Sequence, residues 1–217
     1  MKRAVLFGAT GFVGSYILQE LLQHPDYEQV IAVVRKDLDR KDPRLKTIIA
    51  DQQSLPAHKE ALAGDDIFIA IGTTKKKTPD QREYYAIDHG YPVLAASLAR
   101  EKGATALFLV SAVGANPDAR VFYTRTKGEA ERDILALDFA HTHIFRPSII
   151  MGERPEHRSM EKVLVAACHV LNPFIAGSLQ RYRGIPAKDI AKAMINAANR
   201  PAEKVRIYEW ADMHALL

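Results

Sequence analysis

An α/β fold, a doubly wound parallel sheet covered by helices on both faces, is what this sequence predicts. Two observations carry it. Short apolar runs alternate with longer segments of helical period, and a glycine-rich turn joins the first run directly to the first helical segment.

The runs are AVLF at 4 to 7, VIAVV at 30 to 34, KTIIA at 46 to 50, IFIAI at 67 to 71, ALFLV at 106 to 110 and HIF at 143 to 145. Each is short enough for a strand. The segments 12 to 23, 80 to 102 and 121 to 138 repeat apolar residues at three and four, the spacing of one helix face. The connection RKDLDRKDPRL, 35 to 45, is polar and aperiodic, so a loop is expected between strands two and three. After Pro147 the rhythm changes. Pro147, Pro155, Pro173 and Pro186 punctuate the chain around one apolar helix, MEKVLVAACHVL. PAKDIAKAMINAANR then reads as a helix and KVRIYEW as a strand. A single domain over 1 to 217 is expected, in which residues 147 to 217 form a small C-terminal substrate-binding extension.

Composition narrows the function classes. With 47% hydrophobic and 26% charged residues the chain has an ordinary globular balance, without the signature of disorder. A formal charge of +4 is compatible with an anionic ligand, but no stripe of Arg and Lys interleaved with aromatics appears, so no nucleic-acid partner is expected. The lone Cys168 excludes an internal disulfide and reads as a buried apolar residue on a helix. MKRAVLFGATGFVG imitates a signal peptide, but glycines break the run and no small-residue cleavage site follows. No membrane partner and a cytoplasmic location are the expectations.

LFGATGFVGSY places Gly8, Gly11 and Gly14 between a strand and a helix. A turn that brings backbone amides against a pyrophosphate needs residues without Cβ, and the following helix offers its positive end. Gly8, Thr10, Gly11, Phe12, Val13 and Gly14 are therefore candidate dinucleotide-binding residues. No Gly-Lys-Ser/Thr follows, which excludes a Walker-type loop. About 20 residues on, an acid would select NAD(H) and an Arg would accommodate the 2′-phosphate of NADP(H). The chain has Arg35 there and no acid until Asp37, so NADP(H) is preferred over NAD(H). The competing readings are a solvated basic loop, or an Asp37 that restores NAD binding if the strand ends later. Asp51 stands where a side chain reaches adenine, or forms a turn; Gly72, Thr73 and Thr74 follow the fourth strand, where a small residue lets the chain pass close to the adenosine. The adjacent KKK, 75 to 77, reads as a solvated loop.

Ser111 ends the fifth strand, and Tyr123 and Lys127 lie four apart on one helix face. A free phenol titrates near pH ~10, and a neighbouring ammonium favours its ionised form. Such a phenol can protonate a carbonyl as hydride arrives, with the serine hydroxyl on the developing oxyanion. Ser111, Tyr123 and Lys127 are the candidate catalytic residues.

The glycine loop, the strand-terminal serine, YTRTK, FRPSIIMG and IPAKDIAKAM together resemble the short-chain dehydrogenase/reductase superfamily, in its extended and atypical branches. GTTKKK and YTRTKGEAE look most like the subgroup related to the human Tat-interacting oxidoreductase. The resemblance implies a Rossmann-type domain with Tyr123 as acid–base, Lys127 on the nicotinamide ribose, Ser111 orienting substrate, and Arg146, Pro147 and Ser148 passing beside the nicotinamide. One departure stands out: Asp88 replaces an asparagine that often serves the family's proton relay. The short tail also argues against nucleotide-sugar substrates.

His141 and His143 share a strand face but lack a third ligand, so no metal site is expected. Asp189 reads as a helix-dipole partner in a first turn. The expected activity is NADP(H)-dependent oxidation or reduction of a small carbonyl or alcohol. The rival is an NADP(H)-binding regulator without turnover. Helices 80 to 102 and 121 to 138 either pair in a homodimer or cover the sheet.

Overall fold

The computed structural model describes residues 1–152, 177–199 and 203–217. The helix expected at MEKVLVAACHVL, with Cys168, Pro155 and Pro173, lies outside them.

Seven parallel strands form one sheet in the order β3-β2-β1-β4-β5-β6-β9. They are β1 (Lys2–Phe7), β2 (Tyr27–Val34), β3 (Leu45–Ile49), β4 (Asp66–Ile69), β5 (Ala106–Val110), β6 (His141–Phe145) and β9 (Val205–Tyr208). The fold class is the α/β, Rossmann-type doubly wound sheet that the sequence predicts. Side chains alternate across the sheet. Ala4 and Leu6 of β1 enter one core, under α1 (Phe12–Gln23) and α5 (Ala187–Ala198). Val5 and Phe7 enter the other, with Ala95, Ala96 and Ala99 of α3 (Tyr91–Glu101) and Ile134 of α4 (Phe122–Leu135). Helices α3 and α4 thus cover the sheet. Strands β2 and β3 are joined by a loop, and Asp189 lies in the first turn of α5, both as expected.

Four features depart from the expected layout. The helix expected over 80 to 102 is α2 (Gln81–Tyr85), a π-helical turn (Ala86–Gly90) and then α3. Pro92 explains the break, because it has no N–H to return to the carbonyl four residues back; the Tyr91 N–H instead reaches the Ala86 carbonyl, one residue further than in an α-helix. A 3-10 helix, Leu55–Leu62, occupies the connection to β4, with Leu55 and Leu62 in the core. Strand β9 stops at Tyr208, and Trp210 opens α6 (Trp210–Ala215) through a reciprocal capping box of Glu209 and Asp212. A two-stranded pair, β7 (Ile150–Met151) with β8 (Ile185–Pro186), adjoins the sheet's carboxyl edge. Among the described residues, no helix is long and apolar enough to cross a membrane, and no group of three or more His, Cys, Asp or Glu is placed to hold a metal ion.

His143 belongs to the core. Its ring lies between those of Phe108 and Tyr208, at 5.2 and 5.5 Å, and its Nδ1 pairs with the Tyr208 hydroxyl at 2.8 Å. Burial, then His141, lowers its pKa from 6.5 to about 4. The folded state therefore refuses a proton that the unfolded chain accepts. The stabilisation is complete above pH 6.5 and is lost as pH falls toward about 4, a decline of about 3 kcal/mol. Urea titrations across that window should show the decline in the wild type and a flatter profile in His143→Gln.

Candidate active site

Strand order reverses between β1 and β4, and the chain leaves both at the same edge of the sheet. Open α/β sheets bind ligands at such a switch point. Gly8 follows β1 with φ +88°, and a Cβ there would lie 2.5 Å from the Ala70 carbonyl oxygen behind β4. A Cβ on Gly14 would lie 2.0 Å from the Gly8 carbonyl oxygen, so α1 seats directly on the turn. The Gly11 N–H donates to that same oxygen at 2.8 Å. Gly11 caps α1 without a side chain, and the first turn carries no acid, which leaves the helix's positive end without a carboxylate. Thr10 is exposed, Val13 points into the core, and the Phe12 ring lies under Gly152, whose Cβ would come within 2.9 Å of it. The backbone cradle fits a pyrophosphate.

Strand β2 ends at Val34, so Arg35 is the first residue beyond it and is exposed. Asp37, two residues further on, accepts a hydrogen bond from the adjacent Leu38 N–H at 2.7 Å. Asp51 forms the turn: its Oδ1 accepts from the N–H groups of Gln53 and Ser54 and from the Ser54 hydroxyl, at 3.0, 2.8 and 2.8 Å. Those bonds hold its carboxyl below the usual range. Arg35 and Asp51 both act electrostatically on the Tyr91 phenol, so the ends of β2 and β3 converge there.

The inward face of α4 carries Tyr123, Lys127 and Glu131 at steps of four. Lys127 is buried and its Nζ pairs with Asp88 Oδ1 at 2.8 Å, where Asp88 is 1% exposed. The other Asp88 oxygen accepts the Thr73 N–H at 2.8 Å. Asp88 therefore joins the π-helical turn, the loop after β4 and α4. It is the ion-pair partner of Lys127. A Cβ on Gly72 would stand 3.4 Å from Asp88 and 3.6 Å from Lys127, which puts Gly72 and Thr73 beside the pair.

Ser111 does not join them. Its hydroxyl donates to Glu131, and Glu131 also accepts from Arg146, whose Nε lies 3.0 Å away. The Arg146 side chain is thus paired with Glu131. The Ser111 N–H donates to the Phe145 carbonyl at 2.7 Å and the Val113 N–H to that of Pro147 at 2.9 Å, tying the ends of β5 and β6 together. Pro147 is buried and Ser148 half-buried. Sequence reasoning missed Glu131, which reads as a solvated helix face. Its signal was the spacing, one more step of four beyond Lys127. Gly128 was missed too: a Cβ there would fall 2.1 Å from the Asn116 carbonyl carbon, so α4 rests backbone to backbone on the 116–117 turn.

Tyr123 was expected to have a lowered pKa. It is raised above 10.0 instead, by burial first and Asp88 third, with Lys127 opposing. The residue is nonetheless 42% exposed, because it borders a cavity of about 460 Å³. Thr73, Thr78, Tyr84, Val121 and Phe122 share that wall. The described residues that wall this cavity come from the loop after β4, α2 and the start of α4. Lys75, the first of the lysines read as a solvated loop, also lines it.

The profile of the family described as NAD(P)H-binding matches residues 8–201. The chain belongs to this NAD(P)H-binding family. Curated relatives include the mitochondrial protein FMP52 of Eremothecium gossypii, 33% identical over 219 residues, covering 99% of this chain and 96% of that protein. The mitochondrial protein fmp52-1 of Aspergillus terreus is 34% identical over 212 residues, covering 94% and 90%. Both relatives are named mitochondrial, which overturns the cytoplasmic expectation. Globular composition carries no compartment information, because a Rossmann domain is packed the same way in either. Among solved structures, MoeE5 in complex with UDP-glucuronic acid and NAD superposes with TM-score 0.73 at 19% identity, covering 94% of this chain and 75% of that one. A UDP-glucose 4-epimerase from Thermotoga maritima gives 0.72 at 13%, covering 95% and 76%. At those identities the likeness concerns the fold alone.

Two outcomes are expected from this geometry. Gly128→Ala should cost about 1–3 kcal/mol in urea unfolding, because backbone atoms must move to admit the methyl group. In protein carrying carbon-labelled tyrosine, the Tyr123 phenol should titrate above pH 10.0, higher still in Lys127→Met and lower in Asp88→Asn.

Proposed function

We propose that this member of the NAD(P)H-binding family is an NADP(H)-dependent oxidoreductase that reduces a small carbonyl compound. The observation that carries the reading is Tyr123: a phenol on the wall of a cavity, one helical turn from a buried lysine that is paired with Asp88. The glycine turn, the positive end of α1 and the Gly72–Thr74 loop hold the dinucleotide, and Arg35 meets the 2′-phosphate, with no acid at the end of β2 to repel it. Pro147 and Ser148 pass beside the nicotinamide. When bound, the reduced cofactor supplies a hydride, two electrons with one hydrogen, to the carbonyl carbon. Tyr123 gives its proton to the carbonyl oxygen, completing the alcohol, and recovers one from solvent. Lys127, held in place by Asp88, contacts the ribose and stabilises the transient phenolate. Ser111 acts as a positioning residue through Glu131 and Arg146.

A second reading, an NADP(H)-binding regulator without turnover, draws on one observation. Lys127 and Ser111, two of the three expected catalytic groups, already have protein partners.

Tyr123→Phe decides between them. Carbonyl-dependent NADPH oxidation should fall about 10²–10⁴-fold while NADPH affinity, read by fluorescence, stays unchanged. Wild-type protein that binds NADPH yet oxidises none against a broad carbonyl panel would establish the regulator instead. Arg35→Ala should weaken NADPH about tenfold, ~1.4 kcal/mol, and leave NADH unaffected; equal losses for both would remove Arg35 from the 2′-phosphate.

A further inference from the structure

The cavity beside Tyr123 has a wall of unusual chemistry for a chain whose structural neighbours include proteins complexed with UDP-sugars. Its hydroxyls are largely occupied by one another. Thr73 Oγ1 and Thr78 Oγ1 are hydrogen-bonded at 2.9 Å, and the Tyr84 hydroxyl donates to the Thr73 carbonyl at 3.4 Å. Tyr84, buried, meets Phe122 edge to face with ring centroids 5.6 Å apart. Apart from the Gln81 amide, what the described wall offers is mostly methyl groups and ring surface, which gain from covering apolar area and from aromatic contacts. Lys75, exposed, is the one fully charged side chain among the described lining residues. Among those residues, a single ammonium is little to hold a diphosphate.

Val121 adds an independent observation. It occupies the N-cap of α4, where Ser, Thr, Asp or Asn would satisfy an orphaned N–H, and it makes no cap. It is also 63% exposed while lining the cavity. A residue that forgoes helix stability and faces water is explained if an apolar ligand covers it.

We propose that this cavity takes an uncharged aryl ketone or aldehyde, and not a nucleotide sugar. The assignment rests on the oxidoreductase reading for the chemistry, with Tyr123 as proton donor to the ligand's carbonyl oxygen. A volume of about 460 Å³ lies within the ordinary range of small-molecule sites. The phenyl group would lie against Tyr84, Phe122 and Val121, with the carbonyl toward Tyr123.

The test is calorimetric titration of the full chain with 4-phenylbutan-2-one, acetone and UDP-glucose, each with and without saturating NADP⁺. The aryl ketone is expected to bind at least about tenfold more tightly than either other compound. Val121→Asp should weaken it about fivefold or more, since a carboxylate then borders the ring; that substitution also supplies the missing cap, so an unchanged or raised Tm verifies the fold. Phe122→Ala should weaken the aryl ketone and spare acetone. UDP-glucose binding as tightly as the ketone, no heat from the ketone, or an unaltered affinity in both variants would overturn the proposal. Binding of the ketone without NADPH-dependent reduction would leave the cavity assignment standing and overturn the oxidoreductase reading alone.

Discussion

Helix α4 buries charge, and each charge it buries is met by a partner from another element. Lys127 is met by Asp88 from the π-helical turn, and Glu131 by Arg146 from the end of β6 with Ser111 from the end of β5. Removing one partner of a buried pair leaves an uncompensated charge, at a cost of about 3–5 kcal/mol. The elements around the sheet's carboxyl edge are therefore held in one arrangement. Gly128 permits it, because α4 reaches that depth only by resting its backbone on the 116–117 turn.

The same arrangement decides the protonation of Tyr123. A lysine four residues along a helix, taken alone, favours the phenolate. Here burial raises the phenol's pKa and the carboxylate of Asp88 counters the ammonium. The pair that anchors the helix thus also tempers the lysine. Asp88 also accepts from the Thr73 N–H, so the loop after β4 and Lys127 share one carboxylate.

The strands, α1, α4 and the glycine turn were legible because they depend on local pattern: period two or three to four for burial, and absent Cβ atoms where backbones meet. Arg35 was placed correctly because strand β2 ends where its apolar run ends. The π-helical turn was not legible, although Pro92 marks it, since a proline near a helix start is ordinary and only the ladder's offset shows that Asp88 turns inward. The partner of Ser111 was not legible for a related reason. Its position at a strand end was right, but which partner its hydroxyl takes depends on Glu131, twenty residues away on a helix that reads as polar.

By itself the sequence determined the layer order, the glycine turn and the spacing of Tyr123 and Lys127 on one helix, because each follows from spacing along one element. Only the tertiary structure decided what surrounds them. The raised pKa of Tyr123, the pairing of Lys127 with Asp88, the withdrawal of Ser111 and Arg146 into a buried network, and the apolar cavity walled by the loop after β4 all arise between elements far apart in the chain. Burial and charge pairing act through space, and the strand order that brings those elements together is not contained in any one of them.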